Sequence, residues 1–356
     1  MKHLDILLPF ALPPAAAAKA LLRECQAPAL AILLGKSSPA SPERSIDPFA
    51  RALAHEAWLQ RRFDLRDADW TESSPAIACL LMQACGLAAQ PGTWFVLQPA
   101  HIHIARDHLV LTELRQLELG EVQSRQLFES AALLCEEDGK TLLYGDSRTW
   151  FLRADDWQGL RTATPEAASG RNVDIWMPKG PGEKAWRKLQ NEMQMQWFAH
   201  PLNDEREAAG LPSVNSLWLW GGAQATAAVT ATPYPRTFGL SYWMAALARI
   251  EDRCAAPPPA EVIHAPEERA LLLLDGLLEP GLTDEWGVWL ERMELLEREW
   301  FVPLLAALRN GSLQSLTLIL TGQEKLREVS VSRAALKKFW RSPSLTQLVT
   351  VPTTPT

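Results

Sequence analysis

Apolar positions along the chain change period several times, and each change marks an element. Leu4 to Leu8 is a short apolar run closed by Pro9, the pattern of a strand. Asp5 and the prolines at 9, 13 and 14 interrupt the run to Leu12, which argues against a secretory leader. The alanine-rich stretch that follows, to Leu34, reads as helix, and Lys36 to Pro48 as a polar, proline-rich loop. Phe49 to Arg62 and Pro75 to Leu87 carry helical spacing. The turn Gln90-Pro91-Gly92 then opens a strand-rich region at Trp94 to Val96.

His101 to Leu111 alternates as a strand does. Glu121 to Cys135 sets Phe128, Ala131, Ala132 and Cys135 at helical spacing. Asp138-Gly139 and Gly145-Asp146 punctuate two strands, Lys140 to Tyr144 and Thr149 to Arg153. Thr162 to Gly182 is loop-rich. Glu183 to Phe198 aligns Trp186, Leu189, Met193 and Trp197 on one helical face. Arg269 to Leu274 is a buried-strand pattern. Thr283 is placed to cap a helix presenting Trp289, Met293, Leu296 and Trp300, which Pro303 ends or kinks. Leu316 to Leu320 is a further apolar strand.

Composition narrows the classes of function. The chain has 356 residues, enough for two domains, and is 47% hydrophobic and 22% charged, as in an ordinary globular protein. A net charge of −7 with no basic stripe argues against nucleic acid as a partner. No apolar run is long enough to span a bilayer, so no membrane partner is expected. Cys25, Cys79, Cys85, Cys135 and Cys254 are odd in number and lack C-x-x-C spacing, which suits reduced thiols and a cytoplasmic location. P-loop, G-x-G-x-x-G and G-x-S-x-G patterns are absent.

One run is more specific. His200 to Gly222 (HPLNDEREAAGLPSVNSLWLWGG) joins a His-Pro-x-Asn turn, Arg206, a Gly-Leu-Pro turn and an Asn-Ser-Leu-Trp-Leu-Trp-Gly-Gly strand. It resembles the signature of archaeal-type cofactor-independent phosphoglycerate mutases of the alkaline-phosphatase superfamily. The resemblance reaches back to Gln98 through the Asp-Gly hairpin before Arg148 and Arg153, Gly170-Arg171, and the helix entering His200. It implies an α/β alkaline-phosphatase-like core, discontinuous over residues 1–96 and 216–345. It also implies an inserted α+β domain over 97–215 that helps hold a phosphorylated substrate, and a tail at 346–356.

The same family implies two divalent metals in an Asp/His cage with a Ser or Thr nucleophile. Here the chain departs. Leu8-Pro9-Phe10 stands where the family has Asp-Gly after its first strand, and Ala265-Pro266-Glu267-Glu268-Arg269-Ala270-Leu271 where it has Ala-Pro-Asp-Glu-x-Gly-His. The terminal Asp-His pair has no counterpart near Leu320-Thr321-Gly322, and His264 is the single histidine after Gly222. The expectation is a shortened, degenerate relative: a pseudoenzyme without the two-metal site or a cofactor, binding a phosphorylated small molecule or a protein partner in an interdomain cleft. Two alternatives stay open. One is an active mutase or phosphatase with a rebuilt manganese or zinc site; the other is a structural scaffold.

Arg206, Arg171, Arg148 and Arg153 are candidates for a phosphate clamp, since guanidinium forks match phosphate oxygens; each is otherwise a solvated or ion-paired arginine. His200 and Asn203 would line the same site as anion donor or general acid, or else simply cap the following helix. Asn215 and Ser216 satisfy a turn on the same reading. His101 and His103, two apart on a strand, are weak metal candidates with His108 or Asp107 as further ligands. Asp275, at the carboxyl end of a core strand, is the third weak metal candidate. The tryptophans read as core.

Overall fold

The structure, a computed structural model, describes residues 1–65, 72–105, 108–225, 233–248 and 257–349. The chain divides into two compact units, Met1–Pro48 with Thr232–Thr356, and Phe49–Ala231. This is an α/β fold with a discontinuous core and an inserted α+β unit. The expected junctions at 96/97 and 215/216 fall within or beside two strands, Thr93–Ala100 and Ser216–Gln224, that pair with each other. Backbone pairing therefore keeps both strands in the inserted unit, and the division falls at 48/49 and 231/232 instead.

The first unit is built on one mixed sheet. Its order is Arg236–Phe238, Arg269–Leu273, His3–Leu8, Ser315–Thr321, Lys325–Ser332 and Ser38–Pro39, with Arg44–Ser45 also pairing Lys325–Ser332. The first four strands are parallel and the rest antiparallel. Leu4, Ile6, Leu7 and Leu8 are all buried, which is why this strand reads as an unbroken apolar run: a parallel strand is covered on both faces. Lys325–Ser332 went unread in the sequence because its alternation is masked by charge on the open face.

Asp5 breaks that apolar run and is nonetheless buried. Its carboxylate accepts from Tyr234 Oη at 2.7 Å, Arg269 Nη2 at 2.6 Å and Nε at 3.0 Å, and lies 2.9 Å from His3 Nε2. Burial alone would raise its pKa, but the hydrogen bonds from His3, Tyr234 and Arg269 outweigh it and hold the carboxyl below its ordinary value.

Two expectations about the helices change. Thr283 closes the short helix Leu278–Leu282, while Glu285 precedes the helix Trp286–Leu296. Pro303 does not end that helix. A π-turn over Glu297–Phe301 absorbs the missing proline N–H, and the helix resumes as Val302–Asn310, closed by Gly311 at φ 90°. The Glu297 carboxylate accepts from the backbone N–H of Ala29 and Leu30, neutralising the positive start of the helix Pro28–Lys36.

The inserted unit has an antiparallel sheet in the order Thr141–Asp146, Thr149–Arg153, Thr93–Ala100, Ser216–Gln224. His101 to Leu111 is not one strand but a hairpin, Ile102–Ala105 paired with His108–Leu111. The long helices are Glu121–Glu137 and Glu183–Phe198. Trp94, Trp150, Trp157, Trp186, Trp197, Trp218 and Trp220 are fully buried and form the core between them. Three of these indoles are anchored at 2.8 Å, Trp218 donating to Ala163 O, Trp220 to Gln98 Oε1 and Trp197 to Ser130 Oγ, while Nε1 of Trp157 and of Trp186 has no hydrogen-bond partner among the described residues.

Candidate functional site

Within the His200–Gly222 run, Asp204, Glu205 and Glu207 are exposed, while His200, Asn203, Arg206, Asn215 and Ser216 bond other groups of the same unit. His200 caps the helix Pro201–Ala208, its Nδ1 accepting from Leu202 N–H at 3.2 Å. Asn203 donates to Trp197 O and Val214 O and accepts from Val214 N–H, all within 3.0 Å. Asn215 pairs its amide with both backbone groups of Ile102 at 2.8 Å, like one more ladder rung. Ser216 Oγ accepts from Gln190 and Gln194.

Arg206 is 1% exposed. Its guanidinium donates to Pro212 O at 2.9 Å, Gln123 Oε1 at 2.8 Å and Leu117 O. Burial pulls its pKa down, with Glu118 opposing. The fork geometry that suggested phosphate is spent on three protein acceptors, tying the segment 114–123 to the turn after the helix.

The other candidates do not converge on Arg206. Arg148 is exposed in the turn between the strands Thr141–Asp146 and Thr149–Arg153. Arg153, at the far end of the second strand, pairs with Asp155 at 2.8 Å. Arg171 stacks over Trp176 at 5.2 Å. His101 and His103 are brought together, their rings stacked 5.6 Å apart. His101 Nδ1 donates to Ser213 O at 2.7 Å, and burial lowers its pKa, so the neutral ring is favoured. Asp107 lies outside the described residues. Among those described, no group of three or more His, Cys, Asp or Glu is placed to hold a metal ion. Cys254 is likewise outside them. Burial pushes the Cys25 thiol up to about 11 and the Cys135 thiol to about 12, well away from thiolate chemistry.

In the first unit, the carboxyl ends of the central strands are where open α/β sheets place ligands. Those ends present Pro9 and Phe10, Asp275, and Thr321 with Gly322. Phe10 is buried against Gly281, and its carbonyl accepts the Trp289 indole N–H at 2.9 Å. Asp275 accepts from Ser241 Oγ at 2.9 Å. Among the described residues, these side chains supply one carboxylate and two hydroxyls.

The inserted unit offers a different site. Gly221 sits at φ +71° where the Thr93–Ala100 and Ser216–Gln224 pairing slips between Trp94 and Val96, which is a glycine β-bulge. The bulge frees the Gly221 N–H to donate to Ser74 Oγ at 2.9 Å, and Gly221 O to accept from Ile77 N–H at 3.2 Å. Ser74 in turn bonds Thr162 Oγ1 at 2.8 Å. Beside this junction lies a cavity of about 180 Å³. Gln60, Ser73, Arg161, Thr93, Phe95 and Gln224 are among its lining residues.

Gln60 is the informative member. It is 3% exposed, and its Oε1 has no hydrogen-bond partner. A buried amide oxygen without a donor costs about 1–3 kcal/mol, which singles out Gln60 among the lining residues. Ser73 Oγ accepts from Thr162 N–H at 3.2 Å and keeps its own proton to give. Arg161 brings positive charge, shared at 2.9 Å with Glu72. Sequence reasoning named none of these residues. The glycine pair ending the tryptophan strand was the available signal, because Gly221 is what the bulge requires.

No family model matches the chain. Among curated proteins, 67 residues are 33% identical to a probable 2,3-bisphosphoglycerate-independent phosphoglycerate mutase of Geobacter sulfurreducens, covering 19% of this chain and 17% of that protein. Among solved structures, the chain is similar to the PH0037 protein of Pyrococcus horikoshii, with a TM-score of 0.52 and 13% identity over 93% of this chain and 87% of that one. A cofactor-independent phosphoglycerate mutase from Thermoplasma acidophilum overlays at a TM-score of 0.44 with 12% identity, over 98% and 94% of the two chains. The Pyrococcus protein shares the fold.

Proposed function

We propose that this is a phosphoglycerate-mutase-like protein that binds a small phosphorylated hydroxy-metabolite in the inserted unit and does not carry out two-metal phosphoryl transfer. The observation that carries the reading is the pocket beside the Gly221 bulge, lined by Gln60, Ser73 and Arg161. A ligand hydroxyl donates to Gln60, while Arg161 and the Ser73 hydroxyl take anionic oxygens, Arg161 exchanging Glu72 for the ligand. The cavity is smaller than the roughly 300–1,000 Å³ of drug-sized sites, which favours a three- or four-carbon metabolite over a nucleotide. The donor set at the sheet of the first unit supports the non-catalytic half of the reading.

The test is calorimetric titration with 3-phosphoglycerate of the wild-type protein, Gln60→Leu and Arg161→Ala. Saturable binding weakened at least about tenfold by either change supports the site, a loss of 1.4 kcal/mol or more. Equal binding by all three proteins removes it. A scaffold reading is favoured by a separate observation: Asn203, Arg206, Asn215 and Ser216 all serve internal contacts. Absence of any binding, with the fold intact, is its expected result.

A further inference from the structure

The first unit displays an aromatic turn that its own packing leaves in water. Phe339 is 89% exposed and Trp340 is 66% exposed, and their rings meet edge to face at 5.2 Å. They are the two central residues of a β-turn closed by Arg341 N–H on Lys338 O at 3.2 Å. The turn is held rigidly from below. Buried Lys36 donates its ammonium to Lys338 O at 2.5 Å and to Arg341 O, and Arg341 reaches back to Ser37 O. Gly35 lies so close beneath that a Cβ there would fall 2.3 Å from Ser342 O. Such a base does not hide the aromatic rings; it fixes them outward.

Along the sequence, charge after Glu328 is one-sided. From Val329 to the last residue the charged side chains are Arg333, Lys337, Lys338 and Arg341, with no acidic residue, in a chain of net charge −7. Rigid exposed Trp and Phe flanked by lysines match the bilayer interface. There, aromatic rings sit at headgroup depth and lysines meet anionic lipid.

We propose that the Lys337–Arg341 turn is a peripheral anchor for an anionic phospholipid surface, with Phe339 and Trp340 entering the interface and Lys337 and Lys338 lying on the headgroups. No helix among the described residues is long and apolar enough to cross a membrane, and the anchor does not need one. It runs counter to the sequence expectation of no membrane partner.

Co-sedimentation of the full chain with phosphatidylcholine vesicles, with and without phosphatidylserine, tests this. The wild-type protein is expected to pellet only with phosphatidylserine and to be released by salt. Phe339→Ala/Trp340→Ala should lower partitioning by at least about tenfold, the effect of withholding two large apolar side chains. Lys337→Gln and Lys338→Gln should each lower it roughly fivefold. Melting temperatures of all variants should match the wild type, since the changed side chains project from the fold. Three results overturn the proposal: no pelleting, equal pelleting with both vesicle types, or unchanged pelleting of the aromatic double variant. A lipid-free dimer that the double variant dissociates also overturns it, by assigning the turn to a second copy of the chain.

Discussion

Replacing Arg206 separates the two meanings of the His200–Gly222 run. Arg206→Met keeps most of the buried stem and removes the guanidinium, leaving Pro212 O, Gln123 Oε1 and Leu117 O without their donor. Hydrogen bonds from a charged donor are worth about 1.5–3 kcal/mol each, and desolvation of the guanidinium, seen in its lowered pKa, opposes them. The net loss expected from removing one partner of such a buried set is about 3–5 kcal/mol. For a unit of this size that lowers the melting temperature by roughly 10 °C. Far-ultraviolet circular dichroism gives the melt, and calorimetry below the transition gives 3-phosphoglycerate binding. The structural account requires a large fall in stability with affinity unchanged. A melt within about 2 °C of wild type together with lost binding would refute it and restore the clamp.

Three further outcomes follow from particular contacts. Asp5→Asn should cost about 2–3 kcal/mol at neutral pH, less than a fully buried pair because Arg269 stays half in water. Because the folded pKa of Asp5 is lowered, its contribution is complete above the unfolded carboxyl value near 4 and is lost as pH falls through the folded value. The wild-type and Asn urea midpoints should therefore converge in acid; a gap independent of pH contradicts the network. Gly221→Ala meets φ +71° and contacts of 3.0 and 3.1 Å to Val96 and Ile77, so it should destabilise by about 1–3 kcal/mol, beyond Gly210→Ala, where φ is +74° and no atom lies within 4 Å. Equal costs in chemical denaturation would remove the crowding argument.

The sequence carried much of the fold because burial on one or both faces writes a period into it. The helix Glu183–Phe198 and the strand Arg269–Leu273 were legible within a residue at either end. The failures have physical causes. His101 to Leu111 holds enough alternation for a strand, yet it folds back on itself as a hairpin. Pro303 predicts an end or a kink, and a π-turn over Glu297–Phe301 carries the helix through without ending it. Arg206 stood out in the sequence, where an inward guanidinium and an anion clamp read the same. Gln60 was invisible, since a single glutamine in a helix says nothing until its oxygen is seen without a donor.

The most direct test of the central claim is binding of 3-phosphoglycerate to the purified wild-type protein in chelator. It should be repeated after adding manganese, with phosphorus magnetic resonance following the ligand. The account predicts saturable binding in chelator, a raised melting temperature, and, in samples quenched and stripped of manganese, a phosphorus spectrum of 3-phosphoglycerate alone. Binding that appears only with manganese and is followed by conversion of the phosphoglycerate signal would contradict it.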